Sequence, residues 1–158
     1  RPTPVTDQLW ELVAVGDFNG DGRSDLVWRH NATGNNTLWL SGNAGNSQTL
    51  VRVPDTRWFI AAAGDFDADG RSDLVWRHAG SGINSVWRQG NGASSYALAR
   101  VADNRWSIQA AGDYTGDGRA DLLWRHSGNG GNSVWRSASA NSSLAVATVP
   151  DIAWDVKP

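Results

Sequence analysis

One segment occurs three times in this chain at a fixed spacing of 48 residues, and that period constrains the fold more than any other feature. Trp10, Trp58, Trp106 and Trp154 form one register mark. Trp28, Trp76 and Trp124 form a second, and Trp39, Trp87 and Trp135 a third; together they account for all ten tryptophans. A period of this length means one supersecondary unit stacked several times, each copy burying its apolar face against the next. Any site in one copy is therefore expected in all three.

Within a repeat, Trp10 to Gly16 (Trp58 to Gly64, Trp106 to Gly112) reads as a strand whose alternation puts Trp, Leu or Ile, Ala and Gly on one face. A loop rich in Asp follows. Asp25 to His30, Asp73 to His78 and Asp121 to His126 form a second strand, ended by Gly- and Asn-rich turns over Asn31–Asn36, Ala79–Asn84 and Ser127–Asn132. A third strand is expected at Thr37–Trp39, Ser85–Trp87 and Ser133–Trp135. The fourth is expected over Gln48–Val53, Tyr96–Val101 and Leu144–Val149. No stretch shows sustained helical periodicity. The expectation is all-β: three 48-residue, four-stranded antiparallel blades of a β-propeller, over residues 7–54, 55–102 and 103–150, with 151–158 starting a further blade. A β-trefoil, also three repeats of four strands, is the competing architecture.

The 158 residues are enough for a real core. No apolar run is long enough to cross a bilayer. With no Cys, neither a disulfide framework nor a thiolate metal site is available. The lack of Met, even at position 1, reads as a processed or excised chain. The net charge of −2 conceals a segregation, because ten of the 16 acidic residues crowd into the three loops. The basic residues are nearly all Arg and are spread through the repeat, which argues against a nucleic-acid surface.

The acidic loops place oxygen side chains at relative positions 1, 3, 5 and 9, with Gly at 6: Asp17, Asn19, Asp21, Asp25; Asp65, Asp67, Asp69, Asp73; Asp113, Thr115, Asp117, Asp121. This spacing approaches the EF-hand loop, in which positions 1, 3 and 5 ligate and position 7 offers its carbonyl. Hard oxygen donors suit Ca²⁺, and the loop has no His or Cys to favour zinc. There is no Glu at 12, and a strand follows rather than a helix, so an EF-hand itself is not expected. The plainer reading is an Asx-rich turn, since Asp, Asn and Gly favour turns anyway.

Gly-Asp-Phe-Asn-Gly-Asp-Gly-Arg-Ser-Asp-Leu, from Gly16 to Leu26, followed by Val27-Trp28-Arg29, resembles the FG-GAP or VCBS repeat. Such repeats build integrin α-subunit propellers and occur in many secreted bacterial proteins; some fungal and bacterial lectins have similar propellers. The resemblance covers all three repeats. It implies Ca²⁺ between the first two strands of a blade, held by Asp17, Asn19, Asp21, the Arg23 carbonyl and Asp25. The corresponding sets are Asp65, Asp67, Asp69, the Arg71 carbonyl and Asp73, then Asp113, Thr115, Asp117, the Arg119 carbonyl and Asp121. It also implies that the metal braces the blade and does no chemistry.

Trp39, Trp87 and Trp135 stand beside Thr37, Ser85 and Ser133 and opposite the apolar Leu38, Val86 and Val134. Indoles flanked by hydroxyls suit the stacking of sugar rings, with packing between blades as the alternative, whereas the other tryptophans read as core. Arg29, Arg77, Arg125, His30, His78 and His126 are added as ligand-binding candidates between blades. Three equivalent histidines do not make one asymmetric catalytic constellation, so no enzyme activity is expected. The expected role is a multivalent, secreted or cell-surface lectin that binds carbohydrate or glycoprotein; a structural or protein-interaction propeller, or an accessory domain of a secreted enzyme, is the alternative. Propellers close with about four to eight blades. A homo-oligomer is therefore expected, with two chains completing a six-bladed ring.

Overall fold

A computed structural model describes residues 5–154; the first four residues and Asp155–Pro158 lie outside it, so the expected start of a further blade is described only as far as Trp154. Twelve strands form three separate four-stranded antiparallel sheets. The first contains β1 (Trp10–Gly16), β2 (Asp25–His30), β3 (Asn36–Trp39) and β4 (Ser47–Leu50). The second contains β5 (Trp58–Gly64), β6 (Asp73–His78), β7 (Asn84–Trp87) and β8 (Ser95–Leu98). The third contains β9 (Trp106–Gly112), β10 (Asp121–His126), β11 (Asn132–Trp135) and β12 (Ser143–Val146). Each sheet uses consecutive strands in sequence order, which is the organisation of propeller blades and not of a trefoil. β1 lies beside β5, and β5 beside β9, so the first strands are where successive blades meet.

Two details differ from the sequence expectation. The register slips between Leu12 and Ala14, between Ile60 and Ala62, and between Leu123 and Trp124 where β10 faces β9. Each slip is a β-bulge, so one extra residue (Val13, Ala61, Gln109) sits in the first strand. Trp10 and Leu12 therefore share the face of His30 and Trp28, while Ala14 pairs with Val27 on the opposite face. Simple alternation had put all of them on one face.

The fourth strands are also shorter than expected, ending at Leu50, Leu98 and Val146. The Asn36 side chain donates to the Val51 carbonyl at 2.8 Å, and Asn84 and Asn132 repeat this with Ala99 and Ala147. A side-chain amide thus takes over the next rung of the ladder, and the chain turns away to cross the β2–β3 turn. There the Val53 N–H meets the Gly34 carbonyl. The three Asn residues begin the third strands and do not end the turns.

The core lies between blades. The back face of the first blade (Val27, Leu38, with Phe18 from its loop) packs on the front face of the second (Ile60, Leu74, Trp76). Val75, Val86 and Phe66 pack in the same way on Leu122 and Trp124 of the third. Trp76 and Trp124 are fully buried; truncating either to Ala would cost about 3–5 kcal/mol.

Candidate functional site

The three acidic loops fold around their first residue. Both Asp17 carboxylate oxygens accept backbone N–H groups, from Gly20 and Asp21 at one oxygen and from Gly22 at the other, at 2.7–3.2 Å. Asp65 receives Ala68, Asp69 and Gly70, and Asp113 receives Gly116, Asp117 and Gly118. The bond from Gly118, with those from Gly116 and Asp117, holds the Asp113 carboxyl below its ordinary range. The tight loop needs left-handed backbone at its fourth and sixth positions. Gly20, Gly22, Gly116 and Gly118 supply it, but the second loop puts Ala68 there at φ 63°.

The ninth-position aspartates are fully buried and tie the loop to the turn that follows the third strand at the same end of the blade. Asp25 accepts the Phe18 N–H at 2.9 Å and the Ser41 N–H at 2.7 Å. Asp73 does the same with Phe66 and Gln89, and Asp121 with Tyr114 and Ser137. Ser41, Gln89 and Ser137 all have positive φ just after the third strand, so each Asp fixes a strained turn as well as closing its loop. Spacing alone gave no sign of this second duty.

The second loop carries the strongest case for a cation. Oxygens of Asp65, Asp67 and Asp73 lie within 4.8 Å of one another. Burial pushes the Asp73 carboxyl up to about 6, and the charges of Asp67 and Asp69 add to that push. One Asp67 oxygen is paired to Arg88 Nε at 2.9 Å, whereas its Oδ1 is buried with no hydrogen-bond partner. The hydroxyl of Thr115, at the same position in the third loop, is likewise buried and unpaired. Orphaned buried oxygens are costly unless a ligand meets them. Both lie at the third loop position, so the residues fit a cation held by hard oxygen donors. In the first loop Asn19 Oδ1 is instead occupied by the Asp21 N–H at 3.0 Å.

The tryptophans, arginines and histidines form a second repeated layer. His30 Nδ1 accepts the N–H groups of Ala32 and Thr33, while its Nε2 lies 3.1 Å from an Asp7 oxygen. Two donors at Nδ1 place the ring proton on Nε2, which then donates to the carboxylate. His78 and His126 repeat the arrangement with Asp55 and Asp103. All three rings are buried, edge-on to Trp10, Trp58 and Trp106 at centroid distances of 5.1–5.2 Å.

Arg29 is buried as well. It donates to the carbonyls of Gly34 and Val53 and to Asn36 Oδ1. Arg77 and Arg125 are held in the same way. Proposed from sequence as ligand-binding groups, these arginines and histidines are instead brought inside the blade, where they hold the β2–β3 turn and its neighbours.

Trp39, Trp87 and Trp135 remain half-buried, tilted against Trp28, Trp76 and Trp124 at 4.7–5.0 Å. In the third blade, Trp106, Trp124, Trp135, Ser133 and Val101 of the preceding blade line a cleft of 160 Å³. In the first, Trp10, Trp28, Trp39 and Thr37 line a cleft of 260 Å³. The indole N–H groups of Trp28, Trp76 and Trp124 are buried without an acceptor, a repeated feature that the sequence did not disclose.

A search of curated proteins finds no match to this chain. The FG-GAP-like repeat family matches residues 17–76 and again 65–124, two windows that each run from one acidic loop to the middle tryptophan of the next blade. With both windows set on the loops and strands described above, the chain belongs to the FG-GAP-like repeat family.

Proposed function

We propose that this chain is a calcium-binding, non-catalytic binding module of the extracellular space, and that its tryptophan clefts take carbohydrate. The observation that carries the carbohydrate reading is the recurring cleft. Three indoles and a Ser or Thr hydroxyl line each cleft, where an apolar sugar face and its hydroxyls could both be met. At 160 and 260 Å³ the clefts fall below the roughly 300–1,000 Å³ of ordinary ligand pockets, which suits one sugar ring better than an oligosaccharide. Repeated weak sites on one body gain strength against a multivalent surface.

Calcium is favoured for the loops because every donor is oxygen and the carboxylates repel one another without a cation. Loops of this kind with low affinity work where the medium is rich in Ca²⁺, which supports secretion. The histidines are engaged at both nitrogens, and among the described residues no asymmetric acid–base pair accompanies the clefts, which supports a module without catalysis.

A glycan array followed by titration of the best monosaccharide tests this. Binding that Trp135→Ala and Ser133→Ala weaken, with the melting point of Ser133→Ala unchanged, is expected. No glycan binding in Ca²⁺ would favour a structural or protein-interaction propeller.

A further inference from the structure

We infer that the cavity between the first and second blades binds a free α-amino acid with an apolar side chain, its carboxylate on Arg29 and its ammonium on Glu11. The cavity measures 340 Å³ and lies where β1 runs beside β5. Its walls include Glu11, Asn31 and Thr56. At each of these positions the other copies differ, with Phe59 and Ser107 in place of Glu11, Ala79 and Ser127 in place of Asn31, and Gln8 and Asn104 in place of Thr56. Three departures from the threefold pattern thus converge on one cavity. The packing shared by all the blades does not require them.

The next interface shows what this cavity lacks. There Arg77 Nη2 donates to the carbonyls of Val101 and Trp106 and to Asn104 Oδ1, at 3.0–3.4 Å. Asn104 Nδ2 donates in turn to the Gly80 carbonyl at 3.4 Å. Thr56 stands at the position of Asn104 and has no carboxamide to repeat this bridge. Among the described residues Arg29 Nη2 meets the Val53 carbonyl alone, at 3.1 Å. The rest of the guanidinium is fixed, because Nη1 donates to the Gly34 carbonyl and Asn36 Oδ1 and Cζ lies 5.0 Å from the centroid of the Trp76 ring. Arg29 is only 3% exposed, so a buried cation keeps one N–H unspent at the cavity wall, and a carboxylate oxygen is the strongest acceptor for it.

Glu11 supplies the opposite charge. It pairs with Arg29 in register, which puts both side chains on one face of the sheet. Arg29 is held by its turn, however, and among the described residues Glu11 is met by Asn31 Nδ2 at 3.2 Å and by no cation. Cation and anion therefore line one cavity without joining, which suits a molecule that carries both charges. Leu12 and Phe59, 44% and 42% exposed, add apolar wall for a hydrocarbon side chain. None of the residues lining the two tryptophan clefts lines this cavity, so the inference is independent of the carbohydrate reading.

Calorimetric titration with L-leucine tests the site, alongside isocaproate and leucinol, each of which lacks one of the two charges. L-leucine should bind, and each analogue should bind about tenfold more weakly or worse. Thr56→Asn restores the carboxamide of the next interface. It should fill the cavity and abolish L-leucine binding, with the circular dichroism spectrum unchanged and the melting point no lower. Glu11→Gln should weaken L-leucine about tenfold and leave isocaproate unaffected. No binding of L-leucine up to roughly 10 mM would overturn the inference. Binding indifferent to Thr56→Asn or to Glu11→Gln, or isocaproate held as tightly as L-leucine, would also overturn it.

Discussion

The guanidinium carbon of Arg77 sits 5.1 Å from the centroid of the Trp124 ring, joining the second blade to the third. The same side chain donates to the carbonyls of Gly82, Val101 and Trp106 and to Asn84 Oδ1. A buried cation is thus met by neutral dipoles and a π face, and burial lowers its pKa from the ordinary arginine value. Arg77→Met keeps much of the volume but takes the side-chain donor from the carbonyls of Val101 and Trp106 and from Asn84 Oδ1. A loss of about 3 kcal/mol is expected in chemical denaturation. Arg77→Lys should recover only part of it, since one ammonium does not span those acceptors.

The second loop carries a cost the other two avoid. Ala68 has φ 63° where the first and third loops have Gly20 and Gly116. Left-handed backbone costs an L-residue roughly 1–2 kcal/mol, offset in part by the lower entropy of Ala in the unfolded chain. Ala68→Gly is expected to stabilise the protein by about 0.5–1 kcal/mol, read as a raised melting point. Gly20→Ala and Gly116→Ala should lower it.

Acid should loosen the turns that precede each blade. Asp55 and Asp103 are held well below the ordinary carboxylate range by the side chains of Arg57 and Arg105, by the backbone N–H of the same residues, and by His78 and His126. A carboxyl depressed in the folded state adds stability above its unfolded value, and that stability is lost as pH falls through the lower folded value. The melting point should therefore decline below about pH 4, where the unfolded carboxyl begins to take up its proton. In Asp103→Asn the midpoint at neutral pH should be lower and this acid decline shallower.

The repeat period, the strand order and the acidic loops were legible because each is a local pattern written three times. The extra residue in each first strand was not. In Ala61-Ala62-Ala63 or Val13-Ala14-Val15, small and apolar residues fill both faces, so alternation carries no mark of a slip. Asn36, Asn84 and Asn132 looked like turn residues, and their composition is indeed that of a turn. Their role comes from a buried Arg seven residues earlier and a carbonyl fifteen residues later, a three-way contact that exists only after the sheet forms. The histidines were ambiguous for the same reason, because their Asp partners lie 23 residues earlier in sequence. Legibility ended where a side chain's partners belong to a different element.

The most direct measurement is a pair of thermal melts, one with chelator and one with millimolar Ca²⁺, on the wild type and on Asp67→Asn. The crowded carboxylates of Asp65, Asp67 and Asp73 should make the wild type melt higher with Ca²⁺. Asp67→Asn, by removing one negative charge beside the buried Asp73, should melt at least as high as wild type in chelator but gain less from Ca²⁺. A wild-type midpoint that does not move between chelator and Ca²⁺ would contradict the account, and the loops would then be turns and nothing more.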